Sequence, residues 1–143
     1  MNIITIFWKS IWELRAKIHK DPLRATGRDL NPEVYPHLAQ EISEKLHLVE
    51  GDYLIDIGCA KGALDLLLST KVSSIMATDY SQSMIDCAIM RNSANNIEFR
   101  QDNGEKLNLF SQKFNKILIY SVFHYFSSLT KVKNLLIKIF EKL

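Results

Sequence analysis

The stretch "YLIDIGCAKG", residues 53–62, sets a short apolar run against a loop bounded by two glycines. The run reads as a buried parallel strand, because strands covered on both faces are almost continuously apolar. Glycine serves tight turns and lets a ligand approach the main chain. Gly58 and Gly62, with Asp56 just ahead, therefore put a turn and a candidate binding loop at the strand's end.

Reading onward, "ALDLLLST" predicts a helix and "SSIMATD" a second strand. "SQSMIDCAIMRNSA" follows as a helix, with Ser81 as its cap. "NIEFRQD" predicts a third strand of alternating type and "NKILIYSVF" a fourth, nearly all apolar. "SLTKVKNLLIKIFEKL" closes the chain as a helix, with Leu129, Val132, Leu136, Ile139 and Leu143 on one face. Reading backward, Val34, Leu38, Ile42 and Leu46 lie at helical spacing, with Asn31 as cap and Pro32 as first position. "HKDPLRATGRDLNP" is a loop. Ile4, Phe7, Ile11, Leu14 and Ile18 predict an amphipathic helix at the start.

Strands alternating with helices imply right-handed crossovers and a parallel sheet between helical layers. The expected fold is an α/β three-layer sandwich. Residues 1–31 form a covering helix and loop, and residues 32–143 form the core. Ligands of open α/β sheets bind at the carboxyl ends of the strands, where this glycine loop lies.

Composition bounds the partners. The chain has 143 residues, 47% of them hydrophobic and 24% charged, enough for one domain with its own core. A net charge of +2 is too small to indicate nucleic-acid binding. Cys59 and Cys87 have neither metal-ligand spacing nor a disulfide framework, so no metal is expected and the thiols read as reduced, in a cytoplasmic protein. The apolar start is broken by Lys9 and lacks the charged region and cleavage site of a signal peptide, and it is no membrane span.

Two ligand readings follow from the loop. A dinucleotide fingerprint would place small residues at Gly58, Ala60 and Ala63, but Ala60 puts a methyl group where a pyrophosphate approaches. An acid about 20 residues beyond Gly58, here Asp79, suits the ribose hydroxyls of any adenosine-type ligand. The loop and Asp79 alone choose no cofactor.

Taken in order, "DIGCAKG", "ATDYSQSMIDCA" and "FRQDN" resemble the class I S-adenosylmethionine-dependent methyltransferases. Asp56, Gly58 and Gly62 match that family's D-x-G-x-G-x-G, with Ala60 in place of the middle glycine. Asp79, Ser81, Met84, Ile85 and Ala88 match its second motif, and Asp102 with Asn103 and Gly104 its third. "KILIYSVFHYF" is similar to the segment facing the methyl group. The resemblance runs from about Val34 to the C-terminus.

It implies S-adenosylmethionine as cofactor and methyl transfer to an acceptor that nothing in the sequence names. The loop's backbone N–H groups suit the methionyl carboxylate, and Asp56 the ammonium. Asp79 suits the ribose, Asp102 and Asn103 the adenine edge, and Met84 the adenine face. Cys59, Ala60, Tyr80 and Tyr120 complete the residues implied around the cofactor. His124, after the fourth strand, is the candidate base, needed only where the acceptor must lose a proton. Lys17, His19, Lys20, Arg24 and Arg28 form either a solvated basic loop or a seat for an anionic acceptor.

Other readings compete. An NAD(P)-dependent oxidoreductase would use the same loop, and a methyltransferase-like domain could bind without catalysis. The glycines could serve only the turn, Asp79 only as a cap, Met84 and both cysteines only as packing. The family's sheet has seven strands in the order 3-2-1-4-5-7-6, of which four are legible here. The expectation is therefore a sheet of order 3-2-1-4 and weak turnover by this chain alone. A nearly all-apolar fourth strand is a poor exposed edge, so homodimer pairing along it, or cover by a terminal helix, is expected.

Overall fold

The computed structural model describes residues 3–18, 33–102 and 113–141. Four parallel strands, β1 (Tyr53–Ile57), β2 (Ser74–Asp79), β3 (Ile97–Gln101) and β4 (Lys116–Leu118), form one sheet in the order β3-β2-β1-β4. The expected half-sheet order is observed. Tyr53 pairs with Ser74 and Ile57 with Thr78, so the ends of β1 and β2 finish side by side. Asp79 pairs with Gln101, which brings the end of β3 level with them.

Alternation along β1 builds two layers. Leu54 points to one face, where it joins Ile75, Ala77, Leu68 and Ile85 with Ala39 and Ile42. Ile75 and Ala77 belong to β2, Ala39 and Ile42 to α2 (Val34–Lys45), Leu68 to α3 (Ala63–Leu68) and Ile85 to α4 (Gln82–Arg91). Ile55 and Ile57 point to the other face, where Met76 and Phe114 meet Leu135 and Ile139 of α5 (Leu129–Phe140). Ser81 caps α4 as expected, its hydroxyl accepting from the Met84 N–H. Pro36 falls in the first turn of α2, where a missing N–H costs little. The Asn31–Pro32 start and the loop through residue 32 lie outside the described residues, as do His19, Lys20, Arg24, Arg28, Asn103 and Gly104.

Three expectations need correction. The N-terminal helix forms as α1 (Ile3–Ile18), but Phe7, Leu14 and Ile18 of its expected face are exposed. The packed stripe is Trp8, Trp12 and Ala16, spaced by four, set against Met84 of α4. Both stripes are apolar, so periodicity alone does not choose; the tryptophans win because they bury more area and meet Tyr125 edge to face at 5.0 and 5.4 Å. In α5 the buried positions are Leu135 and Ile139, whereas Leu129 is 87% exposed and Leu136 is exposed too. Leu143 lies outside the described residues.

The fourth strand is also shorter than "NKILIYSVF" implied. It ends at Leu118, and the chain then bends through Ser121 at φ 59 into a single 3-10 turn, Phe123–Tyr125. The bend lets Val122 reach the glycine loop. A three-residue edge offers little ladder to a second chain, which is one way proteins blunt an edge. Among the described residues, no helix is long and apolar enough to cross a membrane.

Candidate functional site

The loop after β1 is folded back onto β2. The N–H groups of Gly58 and Cys59 both donate to the Thr78 carbonyl, at 2.7 and 2.9 Å, and the Thr78 hydroxyl donates to the Asp56 carbonyl at 3.2 Å. Three consecutive even positions have positive φ: Gly58 at 91, Ala60 at 51 and Gly62 at 73. Ala60 thus keeps the left-handed backbone that glycine adopts most readily.

The two glycines answer to packing as well as to φ. A Cβ on Gly58 would stand 2.3 Å from Cγ2 of Val122, and one on Gly62 2.7 Å from the Phe99 ring. These glycines let the loop lie close to the β4 exit and to β3.

Asp79 ties the loop to α4. Its carboxylate accepts from the Ala60 N–H at 3.1 Å and from the Ser81 N–H at 2.9 Å. It is buried, and burial pushes its pKa up to about 6 despite those two donors. Asp102 is buried beside it, its N–H donating to the Asp79 carbonyl at 2.9 Å. Asp56 is buried at the end of β1, and burial, then the charge of Asp65, raises its pKa well above the usual range.

Asp65 is the residue that sequence reading missed. It lies in the first turn of α3, 0% exposed, and neither carboxyl oxygen finds a hydrogen-bond partner. Burial pushes it up to about 7. The available signal was a single acid inside the apolar run "ALDLLL", three residues past Gly62. Burial of Cys59, together with Asp65, Asp79 and Asp56, raises that thiol too. The cysteine is therefore held as a neutral packing group.

α1 roofs this end of the sheet. Glu13 accepts from the Ser81 hydroxyl at 2.9 Å and from the Ser83 hydroxyl. Burial opposes its charge, but those two hydrogen bonds outweigh it and lower the pKa. Trp8, Ala60, Tyr80, Cys87 and Tyr125 pack around Trp12, Ala16 and Met84. Met84 is 1% exposed beneath that roof. The Tyr80 hydroxyl is buried with no partner, and burial raises its pKa.

The structure thus gathers Asp56, Gly58, Cys59, Ala60, Gly62, Asp79, Tyr80 and Asp102 at the carboxyl ends of β1–β3. Tyr120 and His124 stand on the exit from β4, both exposed, and the His124 ring lies 3.9 Å from that of Tyr125. Among the described residues, no group of side chains is arranged to hold a metal ion.

A family model described as a methyltransferase domain matches residues 54–141. No curated protein matches the chain. Among solved structures, phosphoethanolamine N-methyltransferase 1 of Haemonchus contortus, in complex with phosphoethanolamine and S-adenosylhomocysteine, is similar with a TM-score of 0.77 and 16% identity, over 99% of this chain and 30% of that one. The N-methyltransferase NodS of Bradyrhizobium japonicum, in complex with S-adenosylhomocysteine, is similar with a TM-score of 0.75 and 20% identity, over 94% of this chain and 67% of that one. The YcgJ protein of Bacillus subtilis has a TM-score of 0.64 and 21% identity, over 72% of this chain and 45% of that one. At these identities the likeness is one of fold, and the first and last of these matches span less than half of the other chain.

Proposed function

The chain belongs to the methyltransferase-domain family, and from that premise we propose that it binds S-adenosylmethionine across the carboxyl ends of β1, β2 and β3 and serves methyl transfer to an acceptor. The observation that carries the reading is the set of buried acids, Asp56, Asp65, Asp79 and Asp102, converging on the left-handed loop. An adenosyl cofactor with a methionyl ammonium and a ribose diol offers donors to such acids. The oxidoreductase alternative loses support because the methyltransferase-domain model matches residues 54–141, and because Ala60 puts a methyl group where a pyrophosphate would approach.

In this reading Asp79 takes the ribose hydroxyls, using lone pairs left over from the Ala60 and Ser81 bonds. Asp102 faces the adenine edge and Asp56 the ammonium. When bound, the cofactor supplies a methyl group on a sulfonium, an excellent leaving group. The chain then has mainly to position the acceptor and exclude water. The roof of Trp8, Trp12 and Tyr125 serves that exclusion. Met84, sealed under Trp12, supports the crevice floor and reaches an adenine only if α1 shifts. His124, exposed beside the β4 exit, is in this reading the base for an acceptor that must lose a proton.

Replacing Asp79 by alanine tests the reading. Loss of a charged acceptor for the ribose should weaken S-adenosylhomocysteine binding by roughly 1.5–3 kcal/mol. Calorimetry on the wild type and Asp79→Ala reads this directly. Equal affinities would leave Asp79 with only its loop-tying role.

A further inference from the structure

α1 carries a second apolar row that the fold leaves uncovered. Phe7, Leu14 and Ile18 are 57, 57 and 61% exposed, and half-buried Ile11 completes the row. Steps of four, three and four residues put all four on one side of the helix. That side is turned away from the Trp8, Trp12 and Ala16 stripe packed on Met84. Single exposed apolar side chains are ordinary, but a continuous row over about three turns marks an interaction surface.

Charge narrows the occupant. The charged residues of α1 are Lys9, Glu13, Arg15 and Lys17. Its one acid, Glu13, is turned inward to the Ser81 and Ser83 hydroxyls. At about 3.6 residues per turn, Arg15 and Lys17 fall on opposite flanks of the row. The Arg15 guanidinium lies over Trp12 at 5.1 Å, and Lys17 is exposed. The outer face is thus apolar with a basic border. The sequence continues the bias, since residues 15–29 hold five Lys or Arg against Asp21 and Asp29. A second copy is a poor occupant. Antiparallel pairing along the row would set Arg15 and Lys17 against the other copy's first turn, which has no acid. Parallel pairing would set like charges side by side. An apolar row with basic flanks, on a helix too short and too polar to span a bilayer, fits a helix lying in the plane of an anionic lipid surface.

We propose that the outer face of α1 docks this chain peripherally on an anionic lipid surface. Phe7, Ile11, Leu14 and Ile18 enter the headgroup layer, and Arg15 and Lys17 meet the acidic headgroups. α1 roofs the carboxyl end of the sheet, so docking turns that end toward the lipid, one helix diameter or about 10 Å away. The inference does not depend on which cofactor that end holds.

Flotation with vesicles of phosphatidylcholine alone, and of phosphatidylcholine mixed with phosphatidylserine, tests it on the full chain. The chain should float with the mixed vesicles and not with the neutral ones, and added salt should release it. The double variant Leu14→Gln, Ile18→Gln trims the exposed row without touching the packed stripe. It should keep the wild-type melting temperature and partition onto mixed vesicles at least about tenfold more weakly. Lys17→Glu should weaken partitioning at least about fivefold. Equal binding to both vesicle types would overturn the inference, and that comparison stands without any variant. A double variant that still floats like the wild type would overturn it too. So would a wild-type chain that floats with neither: a dimer dissociated by the double substitution would then assign the row to a second copy, and a monomer would leave it no docking role on lipid.

Discussion

Gly58→Ala is expected to destabilise the protein by about 3 kcal/mol. Two costs add. A left-handed backbone costs a residue bearing Cβ roughly 1–2 kcal/mol. The new methyl would also sit 2.3 Å from Cγ2 of Val122. Valine is β-branched and stiff at χ1, so it cannot swing aside, and overpacking of this kind costs typically about 1–3 kcal/mol. The double variant Gly58→Ala, Val122→Ala separates the two. Trimming Val122 removes the clash and leaves the backbone cost, so urea denaturation should show coupling of at least about 1 kcal/mol between the sites. Simple additivity would mean that Val122 yields and that the glycine answers to φ alone.

The second large effect concerns Asp65 and pH. Burial raises its carboxyl from an ordinary 3.8 to about 7 in the folded chain. A raised pKa means that the folded state holds the proton more tightly than the unfolded state. The stability this contributes is complete below about pH 4 and is lost as pH climbs through 7. The groups facing Asp65 are Asp56 from β1 and Cys59 in the loop, with Asp79 acting on both of these; all three are shifted upward too.

Ligand-free protein should therefore lose stability between about pH 4 and pH 7, by an amount on the order of a few kcal/mol. Asp65→Asn carries no proton to lose and can donate to Asp56. At pH 8 it should melt several degrees above the wild type, and its melting temperature should depend less on pH. A variant that melts lower than the wild type at pH 8 would mean that Asp65 carries a stabilising contact rather than a strained charge.

These two residues mark what the sequence made legible and what it did not. The glycine loop, the alternation of strands and helices and the Ser81 cap are local signals, and each is found where local chemistry put it. Sheet order was not legible in those units; it came from the family resemblance, and the four strands do lie in that order. The faces of α1 and α5 were misread because both helices carry apolar residues on more than one stripe. Only the partner surface, Met84 and Tyr125 for α1 and Ile55 and Met76 for α5, decides which stripe is buried. The fourth strand was overread for a related reason. In "IYSVF" Ile119 packs under the sheet and Val122 sits on Gly58 past the bend, and no periodicity distinguishes that from a strand. Asp65 was missed because an acid in a first helical turn ordinarily satisfies the helix dipole at the surface. That it turns inward is a fact of tertiary packing.

The central claim is that the carboxyl ends of β1, β2 and β3 hold an adenosyl cofactor with an amino-acid end. Calorimetric titration of the wild-type chain with S-adenosylhomocysteine and, in parallel, with NAD tests it most directly. Saturable binding of S-adenosylhomocysteine at one site per chain, with none for NAD, is the predicted result. Binding of NAD with no heat from S-adenosylhomocysteine would contradict the account.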